Sequence, residues 1–512
     1  MTRISTVSKL AFLSTKAIKY NHLLRTFLSG SLLPFGFAPF HFPGAAILGL
    51  ALFYAQLSRS QSRHAFLNGL FFGLGYFGLG TSWVYVSIHE YDHLNSVVSA
   101  FITLMFLLYL SLFPATMAWI YRKLVNGQTT LFSCLLFSAL WIFFEFFRST
   151  FFSGFPWLLL GFGQFDAPSK YLLPLIGVLG VGFLTCFAAT LLTASTQQMG
   201  IKRYTYLAAF VLLLLCPLML KPLNWAKETP KPISVGIIQA NLSMRDKWDE
   251  HLFWQLLERY KQDTEKLLGT KLIVMPESAI PLPPSYIEDF LNTLHERAKQ
   301  AGSAVMLGIP QPTNVEENYF FNALITLGQA KGSYLKQHLV PFGEYIPGPL
   351  QSISNWLAIP DADLKAGQKN QTLVKVQKHT VATLICYELA FGDLLRSQLP
   401  KAEWIVSISD DGWFGHSLAL YQHLQMAQVR SLETARYQVV ANNDGLSSVI
   451  NTKGEIVSSL PPFSAGILKA ELFPSTGLTP WVYFGNLPVL LFCALIILTY
   501  IGYRITNSKL TT

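Results

Sequence analysis

Long apolar stretches fill the first 221 residues, and nothing else in the chain restricts its folding as severely. They lie near 23–39, 43–58, 65–88, 96–120, 130–152, 170–196 and 204–221, and an eighth lies near 484–503. A bilayer core of about 30 Å takes about 20 helical residues to cross, and inside it every backbone polar group must be satisfied by the helix itself. The first two stretches are the shortest, broken by LLPFGFAPFHFPG. Composition agrees with a membrane protein. Charged residues make up 13% of the chain and mean hydropathy is +0.36, against roughly 25% charged residues in soluble domains. The net charge of +9 does not indicate nucleic acid, because the basic residues are scattered between apolar spans and form no patch on a polar domain.

Charge also orients the spans. Counting eight helices puts the N-terminal tail, the Arg59/Arg63 loop, the Arg122/Lys123 loop, the Lys202/Arg203 loop and the Arg504/Lys509 tail on one side. HEYDH (His89 to His93), the segment from Phe152 to Ser169 and residues 222–483 fall on the other. Positively charged loops stay in the cytoplasm, so the large polar region is expected outside it. Arg3, Lys9, Lys16 and Lys19 precede the first span without a small-residue cleavage site. This tail therefore reads as retained and cytoplasmic, not as a signal peptide.

From Ile233 to about Ala470 the texture changes. Short apolar runs (ISVGIIQA, KLIVMP, AVMLGIP, NALITLG, TVATLICY, WIVSISD, YQVVANN, SSVINT) alternate with helical stretches at His251–Leu268, Tyr286–Ala301 and Gln422–Arg436. That alternation predicts a layered α/β domain with strands buried on both faces. The expected divisions are a membrane domain over 1–222, an α/β domain over 223–475, and a last helix with a short tail over 476–512.

Chemistry concentrates in three places within the α/β region. Glu277 follows an apolar strand in IVMPESAIP, Lys336 and Glu344 lie in YLKQHLVPFGEYIP, and Cys386 ends the strand of VATLICYELAF. The other four cysteines, Cys134, Cys186, Cys216 and Cys493, sit inside apolar runs. Without a CxxC or a Cys/His metal spacing, neither a disulfide framework nor a zinc site is indicated. A carboxylate can accept a proton, an ammonium can stabilise an oxyanion, and a thiol at a rigid strand end can attack a carbonyl. Taken one at a time, each residue also fits a structural role: a buried thiol, a carboxylate at a helix start, a solvated loop cation.

In this order the three patterns resemble the Glu–Lys–Cys triad of the nitrilase superfamily. Seven spans before such a domain and one after it resemble the apolipoprotein N-acyltransferase family in particular. The resemblance covers nearly the whole chain, through TSWVYVSI, FFEFFRS and GFPWLLLGFGQFD in the apolar part. In the polar part it runs through IQANLSMRDKWDE, MPESAIP, HLVPFGEYIPG, ICYEL, SISDDGWFG, QHLQMAQVRSLETAR, NNDGLSSVI and TGLTP. It implies a nitrilase-like αββα sandwich inserted before the last of about eight transmembrane helices. Glu277 would be the base, Lys336 the oxyanion stabiliser and Cys386 the nucleophile, with Glu344, Tyr387 and Glu388 in support. Trp248, Asn322, Trp356 and Trp413 would handle substrate. The loop SDDGWFG departs from the Ser-Asn-Asp-Ala type expected there.

The implied reaction moves the sn-1 acyl chain of a phospholipid, phosphatidylethanolamine by preference, onto Cys386. It then passes the chain to the amine of a diacylglyceryl-cysteine apolipoprotein. No metal or organic cofactor is implied. The setting would be a bacterial inner membrane, with the chain as a monomer and its catalytic domain on the periplasmic side. Residues 345–368 carry Leu350, Ile353, Trp356, Leu357 and Ile359 among prolines and glycines, as a lid or lipid-dipping arm would. A membrane-tethered amidase acting on small soluble amides is the rival enzyme, and it would need a polar approach to Cys386. A channel or scaffold with an inert outer domain is the non-enzymatic rival, but the spans contain few intramembrane charges, Glu145 and Arg148 being the main ones, so no ion pathway is apparent.

Overall fold

The computed structural model describes residues 21–91, 95–125, 129–247, 249–314, 317–347 and 364–509. The chain forms two compact units, one of Met1–Tyr85, Leu94–Lys221 and Asn486–Thr512, the other of Val86–His93 and Pro222–Gly485. The second unit therefore runs past the division expected after 475. Side chains explain this: the Thr479 hydroxyl donates to the Glu433 carbonyl at 2.7 Å, and Trp481 is buried.

The first unit is helical. Among the described residues, five helices are long and apolar enough to cross a membrane: Ser96–Leu124, Leu131–Arg148, Pro168–Gln197, Ile201–Leu220 and Leu487–Asn507. The first three of the eight expected segments are helical too, across 21–31, Pro43–Arg59 and Ser62–Gly80, but do not meet the same measure of length and apolarity. Helix Ser62–Gly80 lies close against helix Ser96–Leu124 because it presents glycines there. A Cβ on Gly69 would come within 2.4 Å of the Pro114 carbonyl oxygen, and one on Gly73 within 2.7 Å of the Ser111 Cα. Small residues allow this approach where lipid removes the hydrophobic drive for association. Glu145 and Arg148 are both buried and both spent on the 155–160 segment. Glu145 Oε1 accepts from the Leu160 amide at 3.1 Å, and the Arg148 guanidinium donates to the Phe155 and Trp157 carbonyls.

The second unit is built on two mixed sheets. One orders its strands as Gly466–Leu472, Ile233–Gln239, Leu272–Val274, Ala304–Asn314, Glu317–Gly328, Tyr334–Leu335. The other orders Ile456–Ser459, Ser448–Ile450, Gln438–Asn442, Trp404–Ser409, His379–Ile385, Val374–Val376, Ala330–Lys331. The central strands of each are parallel. All eight apolar runs of the α/β region are strands, and helices Phe253–Glu265, Glu288–Gln300 and Ala419–Thr434 fall on the three expected helical stretches.

Residue alternation fixes the layers. Val235, Ile237, Leu272, Val274, Ala304 and Met306 point into a core shared with Val381, Trp404, Val406 and Val439 of the other sheet. Their neighbours Ile238, Ile273, Met275, Val305 and Leu307 point the opposite way, onto Leu256, Leu257, Tyr260, Leu291 and Leu294 of the two helices. Both faces of a central strand must then be apolar, as the runs are. Each fully buried large side chain stabilises the stack by about 1.5–3 kcal/mol. With helix Ala419–Thr434 packed on the second sheet, the order is helix, sheet, sheet, helix. This is the αββα sandwich, and the candidate site lies at the ends of two of its parallel strands and of the antiparallel edge strand Tyr334–Leu335.

Candidate active site

Three chain segments leave strand ends and converge. Glu277 follows strand Leu272–Val274 in a tight turn, with Ser278 in the left-handed region at φ 44°. Strand Ala304–Asn314 makes room for that turn with a glycine: a Cβ on Gly308 would lie 2.5 Å from the Ser278 amide nitrogen and 2.7 Å from the Glu277 Cα. Lys336 follows the short strand Tyr334–Leu335. Cys386 ends strand His379–Ile385 and opens the turn Cys386–Ala390 with φ 52°, a conformation costly for a side chain with a Cβ. Strain of about 1–3 kcal/mol is held there by the surrounding packing.

Glu277, Lys336 and Glu344 form one charged cluster, with Cys386 within its electrostatic reach. Lys336 is buried, and its Nζ donates to Glu344 Oε1 at 2.8 Å and to Glu277 Oε1 at 3.2 Å. Asn322 Nδ2 bridges the same two carboxylates, at 2.7 Å to Glu277 and 3.0 Å to Glu344. The other oxygen of Glu277 accepts from the Asp410 amide at 3.0 Å, and that of Glu344 from the Val340 amide at 2.8 Å. Burial by itself lowers the Lys336 pKa. The charges of Glu277 and Glu344 outweigh it and hold the ammonium well above its ordinary pKa. The half-buried Cys386 thiol is pushed well above its ordinary pKa, by burial first and by the charge of Glu277 second, with Lys336 pulling the other way. At neutral pH the cluster therefore holds a fixed cation between the two carboxyl groups, beside a thiol that keeps its proton.

Glu388 braces this arrangement from beneath. It is fully buried, and its carboxyl accepts from the Tyr334 hydroxyl at 3.0 Å and from the amides of Gln337 (2.6 Å), His338 (3.1 Å) and Ile385 (2.8 Å). One side chain thus ties the Lys336 segment to the Cys386 turn. Burial pushes its pKa up to about 7, against the opposing pull of those amides. The folded protein therefore keeps this proton up to about pH 7, whereas an unfolded Glu gives it up near 4.5. Stability from this group is complete below about pH 4.5 and declines as pH rises to 7, by at most about 3 kcal/mol. Glu388→Gln, which cannot titrate and turns an amide onto one of the donors, should melt lower than wild type at pH 5. That deficit should shrink toward pH 8 in melting curves of the detergent-solubilised protein, and a deficit that widens would contradict this role.

Tyr387 is buried with its ring against His338 and Phe391. Trp413 lies in the turn Asp411–Phe414 with a partly exposed ring, and its carbonyl accepts from the Ser87 hydroxyl at 2.7 Å. Trp248 and Trp356 lie outside the described residues, as does the 348–363 part of the expected lid. Four residues at the site were not singled out from the sequence: Lys247, Asp410, Asp411 and His423. Lys247 Nζ donates to the Glu277 carbonyl at 3.0 Å and pairs with the Asp410 carboxylate. His423 Nε2 donates to the Cys386 carbonyl at 3.2 Å, and its Nδ1 lies 3.0 Å from Asp411 Oδ1. All four stand inside motifs that carry the family resemblance.

Comparison with known proteins agrees with this architecture. Residues 29–191 match the family model for the apolipoprotein N-acyltransferase N-terminal domain, and residues 234–478 match that for carbon-nitrogen hydrolase. The chain is 36% identical over 491 residues to an apolipoprotein N-acyltransferase of Methylococcus capsulatus, covering 95% of this chain and 97% of the relative. It is 34% identical to a protein of the same name from Pseudomonas syringae pv. tomato, over 91% of this chain and 94% of the relative. For the one from Coxiella burnetii the identity is 35%, over 90% and 96%.

Proposed function

The chain belongs to the apolipoprotein N-acyltransferase family, and from that premise we propose that it N-acylates lipoproteins through an acyl-enzyme on Cys386. The observation that carries the mechanism is the Lys336 ammonium, held between Glu277 and Glu344 within electrostatic reach of the Cys386 thiol. In the first half-reaction the sulfur attacks the sn-1 ester carbonyl of a phospholipid while Glu277 takes the thiol proton. Negative charge develops on the carbonyl oxygen, and Lys336 neutralises it. The intermediate collapses to a thioester, and Glu277 returns the proton to the departing sn-1 oxygen, releasing lysophospholipid. In the second half-reaction the amine of a diacylglyceryl-cysteine attacks the thioester. Glu277 accepts a proton from that nitrogen and delivers it to the leaving sulfur, giving an amide and free enzyme.

Phosphatidylethanolamine is the proposed donor and the monomer the proposed working form. The membrane unit would sit in a bacterial inner membrane with the α/β unit on the periplasmic side, as the distribution of Arg59, Arg63, Arg122, Lys123, Lys202 and Arg203 favours. A reporter fused after Lys123 or Arg203 should then behave as cytoplasmic. One inserted at Lys453, in an exposed turn of the α/β unit, should behave as extracytoplasmic. A cytoplasmic reporter at Lys453 would remove access to secreted acceptors.

The activity is tested with purified protein, phosphatidylethanolamine and a diacylglyceryl lipopeptide in mixed micelles. Lysophospholipid and N-acylated lipopeptide should appear in equal amounts, and free fatty acid in their place would mean hydrolysis. In the same assay Lys336→Met should lose roughly 3–4 kcal/mol of transition-state stabilisation in each half-reaction, by analogy with loss of an oxyanion donor. A deficit confined to one half-reaction would show that the ammonium does not serve both oxyanions.

A further inference from the structure

Two consecutive aspartates follow strand Trp404–Ser409, and the acyl-transfer steps employ neither. Both are buried, and each faces a buried basic side chain. The Asp410 carboxylate pairs with Lys247, whose Nζ also donates to the Glu277 carbonyl at 3.0 Å. The Asp411 carboxylate meets His423 Nδ1 at 3.0 Å, and His423 Nε2 donates to the Cys386 carbonyl at 3.2 Å. The pattern is the same on both sides: aspartate, basic side chain, main-chain carbonyl of a triad residue. Asp410 adds a direct contact, its amide donating to Glu277 Oε2 at 3.0 Å.

The turn itself is rigidly set. Asn443 Nδ2 donates to Asp410 Oδ1 at 3.1 Å and to the Leu242 carbonyl at 2.8 Å, tying the turn to the segment that carries Lys247. Asn442 Oδ1 accepts from the Asp411 amide at 3.1 Å, and the Ser409 hydroxyl donates to Asp411 Oδ1 at 2.6 Å. A carbonyl can only accept, so His423 Nε2 must carry a hydrogen. With a carboxylate at Nδ1 both ring nitrogens face acceptors, which favours the imidazolium, and the charge of Asp411 raises the His423 pKa against the opposing effect of burial.

We infer that the Asp410–Asp411 turn is a positioning device that registers the base against the nucleophile, holding Glu277 through Lys247 and Cys386 through His423. The inference rests on the acyl-transfer roles given to Glu277 and Cys386. Lys247, His423 and the two aspartates touch no reacting atom; they act through the backbone of the groups that do. Near-attack geometry tolerates little error, and a displacement of about 1 Å costs on the order of 10²-fold in rate. Fixing both carbonyls from one turn is a direct way to prevent such displacement.

A positional role separates from a merely structural one when the charge pair is removed as a unit. Taking one partner strands a buried charge and destabilises, whereas replacing both with apolar side chains of similar volume is often neutral. The Lys247→Met/Asp410→Leu double variant should therefore melt within about 3 °C of wild type. Its thioester formation at saturating phosphatidylethanolamine should slow about 10- to 100-fold, with half-saturation changed less than about threefold. His423→Leu should slow thioester formation in the same way but melt lower, because the buried Asp411 loses its basic partner, and His423→Gln, which keeps a donor for the Cys386 carbonyl, should recover most of the rate.

A second readout needs no lipid: the pH profile of Cys386 alkylation by iodoacetamide, followed by peptide mass spectrometry. The charged groups acting on this thiol are Glu277, Lys336, Asp411 and Glu344, and Glu277 is the strongest of those holding its proton on. A displaced Glu277 should move the profile of the double variant to lower pH. A wild-type rate and an unmoved profile in a folded double variant would overturn the inference. If that variant fails to fold, equal rates for His423→Leu, His423→Gln and wild type would overturn it instead. Absence of a thioester in wild type would sink the acyl-enzyme reading, while the alkylation profile would still decide whether the turn positions Glu277.

Discussion

A Cys386→Ala protein should fold, insert and transfer no acyl chains. Residue 386 is only half-buried, so loss of one sulfur removes little packing. Its left-handed backbone is as costly for alanine as for cysteine, so the substitution adds no new strain. What disappears is the sulfur, without which no thioester can form; Glu277, Lys336 and Glu344, hydrogen-bonded to one another, carry none. Incubated with phosphatidylethanolamine and lipopeptide, the variant should give neither lysophospholipid nor N-acylated product above background. Cys386→Ser should also form no thioester, and its much less acidic hydroxyl should leave transfer severely impaired. Turnover by Cys386→Ala at even a hundredth of the wild-type rate would mean that another group is acylated, or that the amine attacks the phospholipid directly.

Glu277→Gln should lower the rate of thioester formation on the order of 10²- to 10⁴-fold, the usual worth of a positioned base. The elevated thiol pKa makes the base necessary, because little thiolate exists at neutral pH without it. Shape is conserved in this substitution, but hydrogen bonding is not. Glu277 Oε1 accepts from Asn322 and Lys336 while Oε2 accepts from the Asp410 amide, so a glutamine must turn its NH₂ toward a donor in either orientation. That mismatch should cost a further 1–3 kcal/mol or so of stability. Rapid-quench measurement of each half-reaction separates the two effects. A loss in thioester formation without a comparable loss in aminolysis would show that Glu277 serves only the first proton transfer.

The α/β scaffold was legible because its strands are buried on both faces. LIVM and WIVSIS carry no charge and are apolar at all positions but Ser407 and Ser409, as strands between another sheet and a helical layer must nearly be, which makes them visible without any partner. Strand Gly466–Leu472 was not, because GILKAEL alternates apolar and charged residues at the sheet edge. The segment over 476–485 reads as the approach to the last membrane helix, yet Thr479 and Trp481 pack with the α/β unit through contacts that no local pattern announces.

At the site, Glu277 and Cys386 stood out because each follows or ends an apolar run, whereas Lys336 read as a loop cation and the three were joined only by the family resemblance. Asn322 took its meaning from resemblance alone, and the structure shows its amide between two carboxylates. Lys247 and the two aspartates were overlooked for a physical reason. In MRDKWDE and SISDDGWFG charged residues cluster, and such clusters ordinarily mark solvated turns. Their burial depends on pairs formed between positions 163 residues apart, as for Lys247 and Asp410, which one-dimensional reading cannot reveal. Glycine 308 is a similar case: only the approach of the Glu277 turn explains why strand Ala304–Asn314 lacks a side chain there.

The acyl-enzyme itself is open to direct observation. Wild-type protein incubated with phosphatidylethanolamine vesicles and no acceptor should gain the mass of one acyl chain, and peptide mapping should place it on Cys386. Neutral hydroxylamine should remove it, and added diacylglyceryl lipopeptide should remove it with stoichiometric appearance of the N-terminal amide. An acyl adduct on any other residue, or full transfer activity with no adduct on Cys386 at the earliest times resolved, would contradict the mechanism.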